Sequence, residues 1–361
     1  MTAYILLLLY ALMIGLFKTL ARNTKVSDKF AFACVFTIMI ILAMFRGETV
    51  GADTDNYIRY FQDIRFLSFG DLVEYSRDSY NPLEYGYKLY NWLLVRINAS
   101  PQVITVVNSL LFMTGLFVLT WNESEDKWLS LFIFLTLGFY QTALNMTPSF
   151  IAAFIAYNGI KYIRKKNLVK YIICIVLAMQ MHTAAVLFLP LYWADKVSVT
   201  RKRLVVVACV AILLTLGYGL YSSWLGAHVP SKYQYYFTMA GTKYEQLLVC
   251  AVQVGLICVV SRYVGTGWII DKEYRIDVWI IIVSIVAYLV SINMMIFSRI
   301  SFMFAPFLII TLPKLVEGIS SPSKKMKAKS LIIAFCTLQY VCRLMVNNIG
   351  STLPYYFANM L

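Results

Sequence analysis

Long apolar runs alternate with short polar connections along the chain, at about 3–20, 30–45, 101–121, 128–144, 149–163, 204–226, 247–264, 278–297, 300–317 and 330–347. Most are near the roughly 17–25 residues that a helix needs to cross a bilayer. The run 168–193 is long for one crossing and carries Met181-His182-Thr183 at its middle. It predicts two short limbs, a broken or re-entrant hairpin turning near His182. Runs of this length are far too long for barrel strands, and helices satisfy their own backbone in lipid. The pattern therefore predicts an all-α polytopic integral membrane protein with about 11–12 transmembrane helices. It forms a single multi-span domain over residues 1–361. The first run lacks a cationic leader and reads as a retained helix.

Composition narrows the class. Of 361 residues 60% are apolar and 14% charged, against about a quarter charged in soluble domains. That excludes a cytosolic enzyme, a disordered chain and a disulfide scaffold. The seven cysteines lie in or near the apolar runs without paired spacing, as small packing residues do. No nucleotide-binding, dinucleotide-binding, zinc-protease or nucleophile-elbow motif is present.

The net charge of +14 changes the picture more. One alternate set of connections holds 22 basic and 9 acidic residues, and the other holds 10 and 9. Basic loops stay in the cytoplasm, so the first set faces inward and both termini face out. This division requires 168–193 to cross twice. Topology and anionic lipid account for the positive charge, and nucleic acid is not implied as a partner.

The outward side then collects the unusual polar groups. Its longest segment, 46–100, holds Arg46, Asp53, Tyr57 and Glu84, with apolar spacings at Asp55–Phe66 and Phe69–Tyr75 that predict short amphipathic helices on the membrane. Tyr85, Tyr87, Tyr90 and Trp92 follow as an aromatic band. A second outward loop, 227–246, carries Tyr233, Tyr235 and Tyr236. Asn145, Thr147 and Ser149 flank Pro148, and His182 and Arg299 stand within or between apolar runs. Each has a plainer reading: a histidine bonded to a neighbouring helix, a snorkelling arginine, tyrosines of an interfacial belt. Ionisable groups in such places mark a pathway or site by default, and their convergence on one face predicts one outward-facing polar site.

These residues carry a resemblance. Arg46-Gly47-x-x-Val50-Gly51-x-Asp53-Thr54-x-x-Tyr57, followed by Glu84-Tyr85-Gly86-Tyr87, resembles the EpsG family of bacterial exopolysaccharide polymerases, within the broader Wzy-like, O-antigen-polymerase type. His182-Thr183-Ala184-Ala185, Arg299-Ile300-Ser301-Phe302 and Leu353-Pro354-Tyr355-Tyr356-Phe357 agree in order and placement. One departure stands out. After Asn145-Met146-Thr147 the family continues with Arg-Gln, where this chain has Pro148-Ser149.

The resemblance implies a GT-C-like architecture in the bacterial cytoplasmic membrane. It also implies a glycosyltransferase acting on oligosaccharide repeat units carried by undecaprenyl diphosphate at the outer leaflet. A growing glycan would pass from its lipid diphosphate to a hydroxyl of the next lipid-linked unit. The leaving diphosphate calls for arginines, which nominates Arg46 and Arg299. The attacking hydroxyl calls for a base with a pKa near neutrality, nominating His182, or Glu84 or Asp53 if burial raises its pKa. Asp53 could instead orient Arg46 or hold the sugar. Tyr57, Asn145, Thr147, Tyr233 and Tyr236 are candidates for substrate binding. The expected reaction is inverting and metal-independent, with no cofactor. Expected partners are the lipid-linked oligosaccharide, the bilayer, and a chain-length regulator and flippase of the same pathway. A lipid-linked glycan flippase or exporter, and a membrane acyltransferase modifying polysaccharide, are the competing classes. The spans carry no carboxylate relay and the chain no internal repeat, which weakens the first.

Overall fold

Helix-start signals in the sequence become helix starts in three dimensions. In a computed structural model, which describes residues 1–21, 24–77, 84–228 and 243–358, Asp126 accepts from Leu129 N at 2.9 Å and opens one helix. Asn167 accepts from Lys170 N at 3.0 Å and opens another. Pro101, Pro148 and Pro322 each stand in a first helical turn, where the missing N–H costs nothing. Among the described residues the secondary structure is helical, apart from an isolated bridge between Arg46 and Phe357.

Helices α1 (Thr2–Leu20) and α2 (Thr24–Met44) lead into three short helices, α3 (Thr54–Ile64), α4 (Phe69–Arg77) and α5 (Tyr85–Ile97). The long α6 (Pro101–Glu123) is followed by α7 (Lys127–Thr136), α8 (Phe139–Asn145) and α9 (Thr147–Arg164). The hairpin then comprises α10 (Leu168–Met181), a 3-10 turn (Thr183–Phe188) and α11 (Leu191–Ala194). Beyond it lie α12 (Arg201–Leu216), α13 (Tyr218–His228), α14 (Lys243–Val264), α15 (Arg275–Ser291), α16 (Ile296–Phe304), α17 (Leu308–Glu317) and α18 (Pro322–Val346).

Seven helices among the described residues are long and apolar enough to cross a membrane, counting α16 and α17 as the single stretch Ile296–Glu317. The number is up to nine if each of two bent pairs is one span. Those pairs occupy the expected straight runs 128–144 and 204–226. They bend by 64° between α7 and α8 and by 70° between α12 and α13. The first bend sits at Gly138, whose φ of +79° is a left-handed conformation that side-chain-bearing residues resist. The fuller count of 11–12 included the 18-residue α9 and the two shorter hairpin limbs.

Residue 182 is where the long apolar run breaks. His182 is extended (φ −158°, ψ 118°) and ends α10. The chain then doubles back, so that Tyr171 Oη donates to Phe188 O at 2.6 Å and the Tyr171 and Tyr192 rings stack 6.0 Å apart. With 14 residues, α10 rises roughly 20 Å, short of the ~30 Å hydrocarbon core.

The core is centred on α7 and α9, which are buried along most of their length. Small residues let neighbours close in: Asn158 Nδ2 on α9 donates to Gly115 O of α6 at 3.0 Å. The residues that loop charges grouped on one side do meet. Lys18 Nζ lies 2.5 Å from Asp28 and 2.6 Å from Asp126, and Lys329 joins Asp126. Arg164 pairs with Glu123 and stands 3.8 Å from Asp277, while Lys314 pairs with Glu273 at 3.1 Å.

Candidate functional site

The short helix α3 has two faces because its sequence has two periodicities. Thr54, Ile58, Phe61 and Ile64 are buried, and the three apolar ones pack with Val95 of α5 and Ile104 of α6. On the other side Asn56, Tyr57, Arg59, Tyr60 and Asp63, with Asp53 just before the helix, line a cavity of about 440 Å³. Its remaining wall is Glu84, Met146, Pro148, Ser149, His182 and Arg299. Distant parts of the chain thus converge on one polar pocket.

Two of its groups form a hydrogen-bonded pair. His182 Nδ1 lies 3.2 Å from Glu84 Oε1. The same oxygen accepts from Thr183 N at 2.8 Å and Thr183 Oγ1 at 3.0 Å. Burial by itself would raise the Glu84 pKa. The His182 and Thr183 hydrogen bonds outweigh it and hold the carboxyl below its ordinary value. An ionised Glu84 therefore accepts a hydrogen bond from Nδ1–H, the tautomer that leaves the Nε2 lone pair free. Asp53 goes the other way: burial pushes its carboxyl up, and the nearby Arg299 charge offsets only part of that. Burial likewise raises the Tyr57 hydroxyl.

Arg46 is placed behind this wall, not in it. The guanidinium is buried at the end of α2 and donates to Ala43 O at 2.6 Å and Ser109 Oγ at 2.7 Å. It also donates to Leu144 O at 3.2 Å and Thr147 Oγ1 at 3.5 Å. Both terminal nitrogens are engaged with protein acceptors, and the side chain does not line the cavity. Asn145 and Thr147 are framework residues too. Asn145 Oδ1 accepts from Asp53 N at 2.8 Å, and Thr147 Oγ1 donates to Ala143 O at 2.9 Å. Tyr87, Tyr90 and Trp92 turn inward: Asn108 Nδ2 donates to Tyr87 Oη at 2.8 Å, and Trp92 Nε1 donates to Leu67 O at 2.9 Å. Tyr233, Tyr235 and Tyr236 lie outside the described residues.

The glycine-bearing loop 46–53 is fixed from three sides. Gly51 has φ +97°, and a Cβ there would crowd Leu144 O and Asn145 Cα at 3.1 Å. Its N–H donates to Ser351 O at 3.0 Å. Gly47 N donates to Tyr356 O, and Ala358 N to Phe45 O, each at 2.9 Å. The motif near the beginning of the chain is thus laced to the Leu353–Phe357 motif near its end.

Asn56, Arg59, Tyr60, Asp63 and Met146 were missed by sequence reasoning. The signal for four of them was present: with Asp53 and Tyr57 they fall at i, i+3, i+4, i+6, i+7 and i+10, the polar stripe of the amphipathic helix. Among the described residues no three His, Cys, Asp or Glu side chains gather as a metal ion would require.

Comparison with known proteins adds one match. The sequence profile of the EpsG family matches residues 29–357, nearly the whole chain. No curated protein and no solved structure matches it.

Proposed function

The chain belongs to the EpsG family and is a polysaccharide polymerase-like, multi-pass membrane protein; from that premise we propose that the cavity walled by His182, Glu84, Asp53 and Arg299 is its glycosyl-transfer site. The substrate is an oligosaccharide repeat unit on undecaprenyl diphosphate, met at the outer leaflet of the bacterial cytoplasmic membrane, with both termini outside.

A hydroxyl of the acceptor unit attacks the anomeric carbon of the donor glycan. The C–O bond to the lipid diphosphate breaks and its electron pair leaves with the diphosphate. His182 Nε2 takes the hydroxyl proton, while Glu84 on Nδ1 stabilises the imidazolium that forms. Arg299 meets the charge growing on the diphosphate, where a preorganised cation is most effective. Asp53, with its raised pKa, hydrogen-bonds the incoming sugar and positions Arg299. Direct displacement inverts the anomeric centre.

The observation that carries this reading is the joining of the His182–Glu84 pair and Arg299 in one pocket. The test is purified protein in liposomes with lipid-linked repeat units, products resolved by size. A ladder is expected from wild type, with His182→Ala reduced about a hundredfold or more. Arg299→Ala should fall similarly and Arg299→Lys recover only partly, because lysine lacks the planar fork. A change of leaflet without change of size would show a flippase instead, and an added acyl mass an acyltransferase. Undiminished ladders from both alanine variants would sink the site assignment.

A further inference from the structure

Beside the polar cavity lies a second one of a different kind. It has a volume of about 470 Å³, and every side chain lining it is apolar. Two structural elements wall both. The hairpin presents His182 to the polar cavity at its turn, then Leu187 and Leu191 to the apolar groove on its returning limb. Helix α16 does the same within one turn, with Arg299 in the polar cavity and Phe297 and Ile300 in the groove. Val207 of α12 and Val283 of α15 complete the walls. The returning limb from Thr183 to Ala194 covers roughly 20 Å at about 1.5–2 Å per residue.

We infer that this groove holds the polyprenyl chain of the lipid diphosphate whose head group sits at Arg299. The inference rests on the proposed function and names the subsite for the tail of that same substrate. A charged head and an apolar tail joined in one molecule require a cation and an apolar channel in register, and α16 supplies both. Each further isoprenoid carbon taken out of water adds to the affinity. The groove therefore favours long chains over short ones, while the polar cavity is indifferent to chain length.

Binding without any glycan separates this inference from the polymerase reading. The full chain in detergent is titrated calorimetrically with undecaprenyl diphosphate and with geranyl diphosphate. Wild type should bind the long chain at least about tenfold more tightly, which corresponds to about 1.4 kcal/mol. Val283→Trp and Leu187→Trp, which fill the groove from two different elements, should erase that preference while keeping geranyl diphosphate binding, the sign of an intact head-group cavity. Val176→Trp, exposed on α10 away from the groove, should keep the preference. Equal binding of the two lipids by wild type, as when the groove merely takes up bilayer acyl chains, overturns the inference. So does a length preference surviving in both groove variants. A protein that prefers long chains but makes no polymer would defeat the polymerase reading alone, and polymer formation without length preference would defeat the groove alone.

Discussion

The backbone N–H of Asp53 donates to the side-chain oxygen of Asn145 at 2.8 Å. Asp53 precedes α3 and its own side chain does not cap that helix; a residue 92 positions away satisfies its backbone instead. This bond sets the height of α3 against the α8–α9 break, and with it the polar stripe along the cavity. Asn145→Ala should cost about 1 kcal/mol in stability, seen as a modest fall in Tm. Polymer formation should fall by more than that loss of folded protein explains, and Asn145→Asp, which keeps the acceptor, should recover part of it.

Arg46 and Arg299 should fail in different ways. Arg46→Ala removes the buried charged donor to Ala43 O, Ser109 Oγ and Leu144 O, bonds of a kind that contribute about 1.5–3 kcal/mol each. Lysine cannot restore a fork that donates in several directions. Arg46→Lys and Arg46→Ala should both lower Tm and folded yield, whereas Arg299→Lys and Arg299→Ala should lower turnover by more than any fall in folded protein explains. Parallel melting and activity measurements on the four variants check this contrast.

The two carboxylates of the cavity should impose opposite pH dependences on stability. Glu84 titrates below its unfolded value, so as pH falls the unfolded chain takes up the proton first. The stabilisation from ionised Glu84 is present above the ordinary carboxylate range of about 4.3. It is lost as pH drops through the folded-state pKa. Asp53 titrates above its unfolded value, so its contribution is lost as pH rises through the folded-state pKa. Melting curves from about pH 3 to 6 should show Glu84→Gln flattening the rise of Tm with pH, and Asp53→Asn steepening it.

Pro148 and Ser149 line the cavity at the positions where the family resemblance expects Arg and Gln. The Pro148→Arg, Ser149→Gln double variant should place a further cation against the diphosphate. A charge-assisted hydrogen bond contributes about 1.5–3 kcal/mol, so binding of undecaprenyl diphosphate should tighten about tenfold or more. Calorimetry measures it, and an unchanged affinity would mean that these positions do not meet the lipid head group.

What the sequence disclosed, and what it withheld, follows from the range of the interactions concerned. The break at His182 was legible because the run 168–193 is longer than one crossing needs and the basic loops on either side of it require two. The polar stripe of α3 was legible as spacing, although not its role, because spacing says nothing of what packs opposite. The burial of Arg46 behind the cavity was not legible for a related reason. An arginine beside glycines at a helix end reads alike whether its fork meets a ligand or the carbonyls of Ala43 and Leu144. The second of those lies 98 residues away. The bends at Gly138 and Gly217 were hidden inside runs whose hydrophobicity alone looked continuous.

The lacing of Gly47 and Phe45 to Tyr356 and Ala358 has a consequence in time. During synthesis the loop that carries Asp53 leaves the ribosome some 300 residues before its latch does. All the intervening spans must enter the membrane before Tyr356 can close on it. The loop that leads to Asp53 therefore gains these backbone hydrogen bonds only once Tyr356 and Ala358 have been made.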